Sequence, residues 1–247
     1  DGDIKAWPIP SSLKPIYNSK PSRGELFMTM SDINGEKLYT DPRNVLEKLT
    51  QTFNKDGIKV YGVFELEFFL VSNELDQFGK LQPAKSVIGK KRSHIKTDVY
   101  SVDKLHEMLP LFDDIYEAAK VSGIEAETVI SEYAPGQFEL TLKHQSNLLK
   151  AADDIIRLKR IIRAQARSHG ITACFMAKPI ENISGSGMHF HISMYDNKGN
   201  NLFADKIKNN PNQFLLNAIG GLSQTMGESM LVFAPHANSW RRLVLGS

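Results

Sequence analysis

The stretch that decides how this chain folds is Gly185-Ser186-Gly187-Met188-His189-Phe190-His191-Ile192-Ser193-Met194. It begins with two glycines, whose missing side chains let another group approach the backbone closely. The polar residues His189, His191 and Ser193 then alternate with apolar residues. Strict period two is typical of a β-strand with one face in the core and the other face free. Two imidazoles and a hydroxyl on the free face indicate a functional surface.

Two further regions are also predicted strands that carry ionisable residues on one face. Residues 60–71 alternate apolar residues with Glu65 and Glu67, which places both carboxylates on one side of a strand, about 7 Å apart. Two strands joined by a Pro-Gly turn bring Glu132 and Glu139 near each other, and both can point the same way. Unneutralised carboxylates on a partly buried sheet would raise each other's pKa, and a cation removes this cost. One such strand is also typical of a solvated sheet edge, but three in one chain favour a shared site.

The ligand chemistry of these residues favours a particular kind of ion. Four carboxylates with one or two imidazoles suit Mg²⁺ or Mn²⁺ better than structural zinc, which prefers thiolates and several histidines. A pair of such ions is the usual way to hold and polarise phosphoryl oxygens. The residues therefore predict a two-metal site on an open sheet that acts on a phosphate, and they leave the substrate open.

Composition excludes several other classes of protein. The chain has 247 residues, of which 41% are hydrophobic. Its formal net charge is only +2, so its charge predicts neither a nucleic-acid partner nor a membrane partner. Cys174 is the single cysteine, so a reducing compartment is expected. No run of about 18 apolar residues is present. We expect a cytoplasmic protein, and Asp1 and Ser247 suggest a piece of a longer polypeptide.

Helices are predicted from caps and from apolar spacing, at residues 41–57, 101–122, 148–169 and 211–231, and the second of them is expected to break at Pro110. In the third helix, Leu149, Ala152 and Ile156 are spaced along one face. Five basic residues are expected on the solvent side of this helix: Arg157, Lys159, Arg160, Arg163 and Arg167. Residues 1–23 contain four prolines and are predicted to be an extended connector.

Five blocks, in this order, resemble the glutamine synthetase superfamily: residues 65–70, 132–139, 175–179, 185–191 and 238–243. Residues 100–103 and 135–140 resemble its γ-glutamylpolyamine (γ-glutamylputrescine) synthetase branch more than the ammonia-using enzymes. The resemblance implies an α+β fold, with a large curved, mainly antiparallel sheet flanked by helices. It also implies that residues 24–247 form a partial catalytic domain, and that residues 1–23 are a linker with a remnant of an N-terminal β-grasp region.

The same resemblance implies ligands for two divalent metals, Mg²⁺ or Mn²⁺. One would be held by Glu67, Glu132 and Glu139. The other would be held by Glu65 and His189, with a third ligand beyond the end of this sequence.

The resemblance implies substrate contacts as well. His191 and Ser193 would face ATP, and Gly185 would lie in a loop that grips glutamate. Arg242 would be a catalytic residue that meets the carboxylate of glutamate. ATP would convert the γ-carboxylate of glutamate to γ-glutamyl phosphate, and an amine would then displace phosphate. Two cations and arginines would offset the repulsion between the two anions.

The acceptor and the activity have alternatives. Ser247 directly after a glycine resembles the polyamine-type branch, so a polyamine or another primary amine is the predicted acceptor, with ammonia as the alternative. Ser184 and Leu245 stand where the family usually has Asn and Pro, which leaves a non-catalytic structural or regulatory relative as a second alternative. The resemblance also implies a homo-oligomer, since full-length family members form double-ring dodecamers.

Overall fold

The computed structural model of the protein describes residues 3–88, 99–204 and 211–243. The basic run Lys90-Lys91-Arg92, expected to be a solvated loop, and the predicted acceptor signal at 245–247 lie outside the described residues. The strands of the described part are β1 (Lys5–Pro8), β2 (Lys14–Pro15), β3 (Gly24–Glu25), β4 (Met28–Ser31), β5 (Lys59–Ser72), β6 (Ala126–Ser131), β7 (Gln137–Leu142), β8 (Ile171–Cys174) and β9 (Met188–Tyr195). Its α-helices are α1 (Pro42–Lys55), α2 (Val102–Glu107), α3 (Leu109–Val121), α4 (Leu148–Ser168), α5 (Gln213–Phe233) and α6 (Ala237–Trp240).

The long strand β5 is the centre of a five-stranded antiparallel sheet. Strand β7 pairs with one edge of β5, and β6 pairs with the far edge of β7. On the other edge of β5, β9 pairs with the first half of the strand and β8 pairs with its last residues. The predicted fold class, a mainly antiparallel sheet flanked by helices, is confirmed.

The main core lies between one face of this sheet and helices α3 and α4. Phe68 and Leu70 of β5 are completely buried there, together with Leu140 of β7. The ring of Phe112 meets the ring of Phe138 edge to face, with centroids 5.1 Å apart. Burial of this much aromatic and aliphatic surface fixes the sheet that carries the polar residues on its opposite face.

Local signals placed the helix ends to within two residues. The side chain of Asp41 accepts a hydrogen bond from the backbone N–H of Arg43, so it caps α1. Ser101 caps α2 in the same way, and the break predicted at Pro110 falls at Met108, between α2 and α3. No helix in the described part of the chain is long and apolar enough to cross a membrane.

The predicted phase of α4 is wrong. The side of this helix that packs on the sheet carries Leu148, Ala151, Ile155, Leu158 and Ile162. Ile156, predicted to lie on the apolar face, is exposed. The buried face is therefore one residue earlier along the helix than the predicted face.

The prediction that Arg157 faces solvent is also wrong, since this residue is only 3% exposed. Its Nε donates to Glu25 Oε1 at 3.2 Å, and its Nη2 donates to the carbonyl oxygen of Ser12 at 2.8 Å. Its guanidinium also lies 4.8 Å from the centre of the Phe27 ring. The cause is the N-terminal region. Residues 1–23, predicted to be a connector, contribute β1 and β2, which pair with β4 and β3, and this region contacts Arg157 through Ser12, Glu25 and Phe27.

Strand β9 differs from its prediction in burial. Its alternation is as predicted, but its apolar side chains Met188, Phe190 and Ile192 stay between 41% and 53% exposed in the described part of the chain. On this face Phe190 stacks on Phe64, with ring centroids 4.4 Å apart. Helix α5 likewise has no buried side chain among the described residues.

Candidate metal centre

The register of the sheet brings the predicted carboxylates and imidazoles together. Glu67 on β5 lies directly opposite Glu139 on β7, and Glu65 lies directly opposite His189 on β9. Directly opposed residues of antiparallel strands point to the same face. These four side chains therefore share the face of the sheet opposite the main core.

Three of these residues form a compact group. Among the described residues, Glu65, Glu139 and His189 each offer a ligand atom, and these atoms all lie within 4.8 Å of one another. His189 Nδ1 is 3.3 Å from Glu65 Oε2 and 4.0 Å from Glu67 Oε1. The group combines one member of the first predicted metal set with two members of the second. The division of these ligands between two ions stays a prediction.

Glu132 approaches this group from the end of β6. Its backbone N–H donates to the carbonyl oxygen of Gln137 at 2.9 Å, which closes the hairpin. Burial raises the pKa of Glu132, the hydrogen bond from the Tyr133 N–H lowers it, and the charge of Glu67 raises it again. Repulsion by Glu67 is thus one cause of the raised pKa of Glu132, although Glu132 is not a member of the compact group of Glu65, Glu139 and His189.

The cluster contains more carboxylates than positively charged groups that could neutralise them, and the pKa values of its members shift as a result. Burial raises the pKa of Glu139 to about 7, and the charges of Glu65, Glu132 and Glu67 add to the effect. The pKa of Glu65 moves the other way, because its carboxylate accepts a hydrogen bond from His191 Nε2 at 2.9 Å. Carboxylates gathered closely enough to raise one another's pKa, with an imidazole among them, fit a hard divalent cation.

Glu67 is held by partners that the sequence reasoning missed. Its Oε2 accepts hydrogen bonds from the Gly187 N–H at 2.9 Å and from Gln137 Nε2 at 3.0 Å. Gln137 lies two residues before Glu139 on β7, so period two places both side chains on the same face. That spacing was the signal that could have identified Gln137.

Gly185 and Gly187 allow other parts of the protein to approach the backbone closely. A Cβ on Gly185 would lie 2.3 Å from the carbonyl oxygen of Ala177 and 3.0 Å from Arg242 Cγ. A Cβ on Gly187 would lie 3.1 Å from Arg242 Nη2 and 3.4 Å from Glu67 Oε1. The side chain of Arg242 therefore crosses this loop and ends beside the acidic cluster. The substrate roles predicted for Gly185 and Arg242 stay predictions.

The segment that carries Arg242 is tied to the same loop. Asn238 Nδ2 donates to the carbonyl oxygen of Lys178 at 2.8 Å, and the Lys178 N–H donates to Asn238 Oδ1 at 2.8 Å. This pair of hydrogen bonds joins the start of α6 to the segment that follows Ala177. Two blocks of the resemblance, far apart in sequence, are thus neighbours in space.

The predicted ATP-facing residues lie further along β9. His191 is largely exposed beyond its contact with Glu65, and Ser193 Oγ is 3.4 Å from His144 Nε2. The His144 ring stacks on Tyr61 with centroids 6.0 Å apart. The face is therefore open to a ligand beside the cluster, and the assignment of these residues to ATP stays a prediction.

Comparison with known proteins gives the family. The sequence profile of the glutamine synthetase catalytic domain matches residues 39–247, and the chain belongs to this family. The chain is 38% identical to γ-glutamylputrescine synthetase PuuA of Escherichia coli (strain K12), over 99% of this chain and 51% of the relative. It is 33% identical to glutamate–isopropylamine ligase of a Pseudomonas species, over 85% of this chain and 45% of the relative.

Further similarities agree with this assignment. A glutamine synthetase of Thermus thermophilus is 28% identical, over 95% of this chain and 53% of the relative. A solved structure titled apo GmaS without ligand has a TM-score of 0.84 at 27% identity, over 98% of this chain and 55% of that one. The chain thus spans about half the length of the relatives it matches. The resemblance stated from the sequence blocks is confirmed.

Proposed function

We propose that the protein containing this chain is an ATP-dependent ligase that joins the γ-carboxylate of glutamate to an amine. The observation that carries the proposal is the cluster of Glu65, Glu67, Glu139 and His189 on one face of the sheet. So many carboxylates in contact are costly unless a cation binds them. Two relatives, at 38% and 33% identity, are named for the ligation of glutamate to an amine, which supports the proposal.

The residues present fit divalent metals, for which Mg²⁺ or Mn²⁺ is proposed. Glu67, Glu132 and Glu139 would hold one ion, and Glu65 and His189 would contribute to the site of a second. When bound, such cations neutralise and polarise phosphoryl oxygens, so that a phosphate can approach a carboxylate.

The protein's own groups have separable tasks in this reaction. The guanidinium of Arg242, which lies near Gly187, would attract the carboxylate of glutamate and offset negative charge. Glu67 keeps one oxygen in hydrogen bonds to the protein, which fixes its direction. His191 and Ser193 present an exposed polar surface to ATP.

The proposed reaction has two steps, phosphorylation of glutamate and then formation of the amide. An oxygen of the γ-carboxylate attacks the γ-phosphorus of ATP, the bond from this phosphorus to the β–γ bridging oxygen breaks, and ADP leaves. The protonated amine first gives up one proton to solvent. Its nitrogen then attacks the carbonyl carbon of the acyl phosphate and loses a second proton to solvent. The bond to the phosphate oxygen then breaks, and the products are the amide and inorganic phosphate.

A primary amine, with a polyamine as the preferred type, is the proposed acceptor, and the whole protein is proposed to be a homo-oligomer. The γ-glutamylputrescine synthetase relative, at 38% identity, is more similar in sequence than the isopropylamine ligase and the glutamine synthetases, at 28–33%, which supports an amine over ammonia. A primary amine has a pKa near that of lysine, about 10.4, so the site must bind it as a cation and then deprotonate it. The intact cluster argues against a non-catalytic relative.

The test measures phosphate release by the whole protein with ATP, glutamate and Mg²⁺, offering putrescine, spermidine, isopropylamine or ammonium. We expect a higher kcat/KM for an alkyl amine than for ammonium. A preference for ammonium would reverse the proposed acceptor. No phosphate release with any of the four would overturn the ligase itself.

A further inference from the structure

Gln137, at the first position of β7, makes three hydrogen bonds inside the protein and is only 1% exposed. Its Oε1 accepts from the Ala134 N–H at 3.1 Å. Its Nε2 donates to Glu67 Oε2 at 3.0 Å and to the carbonyl oxygen of Gly185 at 3.0 Å. Since a donor faces one end of the amide and two acceptors face the other, the partners fix its orientation.

These hydrogen bonds connect strand β5 with the loop that precedes β9. Glu67 belongs to the acidic cluster, whereas Gly185 begins the loop for which glutamate binding is proposed. The same loop reaches Glu67 a second time, through the Gly187 N–H at 2.9 Å. With two donors on Oε2, the other oxygen, Oε1, is the one directed toward His189 Nδ1, 4.0 Å away.

We propose that Gln137 is a positioning residue that couples glutamate binding at the loop 185–187 to divalent-cation binding at Glu67. The inference rests on the proposed function for the identity of the two ligands. Glutamate that orders the loop fixes the carbonyl oxygen of Gly185, and through the amide of Gln137 it fixes the direction of the Glu67 carboxylate. Such coupling is reciprocal, so glutamate and the cation raise each other's affinity by the same factor.

The test is Mn²⁺ binding to the whole protein, followed by the electron paramagnetic resonance signal of free Mn²⁺, with and without L-glutamate. Gln137→Met keeps the length of the side chain and removes its donors and acceptor. We expect this variant to lose about 10–100-fold in Mn²⁺ affinity, as is usual when a partner of a metal ligand is removed. Added glutamate should tighten Mn²⁺ binding in the wild-type protein and leave it unchanged in the variant.

Asn44→Leu is the matched control. Asn44 is also a buried amide with three hydrogen bonds, to the carbonyl oxygens of Met30 and Leu38 and from Thr29 Oγ1. It lies on α1, away from the cluster. Both variants should lower the free energy of unfolding, but only Gln137→Met should change Mn²⁺ affinity and the effect of glutamate. If Gln137→Met fails to fold, Gln137→Asn retains an amide but withdraws it by one methylene, and the same loss is expected.

A folded Gln137 variant whose Mn²⁺ affinity and glutamate effect equal those of the wild-type protein overturns the inference, as does a wild-type protein that binds no Mn²⁺. The proposed function fails separately. A protein with Gln137-dependent Mn²⁺ binding that releases no phosphate with any amine is not the ligase, although the coupling stands. An active ligase that is indifferent to Gln137→Met retains its function and loses the coupling.

Discussion

Strands β5 and β9 have the same alternating pattern and pair side by side from Lys59 to Leu66, but they differ in burial. The apolar face of β5 is buried, as Leu66 and Phe68 show, whereas the apolar face of β9 is about half exposed. Alternation thus predicts which side chains share a face, but it does not predict how deep that face lies. Depth depends on what packs there, and β5 has a strand on each edge and helices over its apolar face.

The polar face of the sheet, which carries the site, also differs in burial between its two sides. On the side of β5 and β7, Glu67, Glu139 and Gln137 are buried. On the side of β9, His189 and His191 are more than half exposed at their side chains. The buried half carries the carboxyls whose pKa values are raised, and the exposed half is open to solvent in the described part of the chain.

The largest expected effect compares the two apolar faces directly. Phe68→Ala should lower the free energy of unfolding by about 3–5 kcal/mol, because it leaves a cavity in a closed core. Phe190→Ala should cost less than about 2 kcal/mol, since much of that ring is already in water. Urea unfolding of both variants measures the difference. Equal losses would mean that β9 is covered in solution as deeply as β5.

A smaller effect is expected at the buried half of the site. The pKa of Glu139 is raised to about 7 in the folded protein, so the folded state binds a proton more readily than the unfolded state does. The resulting stabilisation is complete below a pH of about 4.5, the ordinary pKa of Glu, and is lost as the pH rises through about 7. Metal-free wild-type protein should therefore lose stability over this interval.

Glu139→Gln should remove that loss, because a neutral amide has no proton to release. Without metal at pH 7.5 we expect the variant to be more stable than the wild-type protein by about 1–3 kcal/mol, since one pKa unit corresponds to about 1.4 kcal/mol and water near Glu65 screens part of the repulsion. At pH 4, below the ordinary pKa of Glu, the two proteins should be nearly equal. A variant that is less stable than wild type at both pH values would show that ionised Glu139 does not destabilise the folded protein.

The smallest effect is expected at the exposed half. The hydrogen bond from His191 lowers the pKa of Glu65, so its stabilisation is present above the ordinary pKa of Glu and is lost as the pH falls through the lowered value. His191→Asn should cost less than about 1 kcal/mol at pH 7, which is typical of an exposed pair. Urea unfolding at pH 7 and at pH 3 tests this. An equal cost at both pH values would contradict the assignment.

Local signals explain what could be predicted of the fold. Caps, turn glycines and strand alternation act within a few residues, so the ends of α1 and the strand β5 were predicted correctly. The buried face of helix α4 was predicted incorrectly, because apolar residues occur there in adjacent pairs, such as Leu148 with Leu149 and Ile155 with Ile156. Such pairs fit a period of 3.6 in two phases, and only the packed sheet selects one of them.

The site was predictable to a similar degree. Period two placed Glu65 with Glu67 and His189 with His191 on shared faces, because it depends on one strand at a time. The pairing of Glu67 with Glu139 depends on the register between strands, which the sequence of a single strand does not specify. The burial of Arg157 depends on Glu25, far away in the sequence, and so escaped prediction.

The most direct test of the central claim is an anomalous difference map from crystals of the whole protein grown with Mn²⁺. The account predicts two Mn²⁺ peaks on the polar face of the sheet, at about 2.1 Å from their ligand oxygens, the usual distance for small hard cations. One should contact Glu139, Glu67 and Glu132, and the other should contact Glu65 and His189. A map without a peak at these side chains would contradict the account.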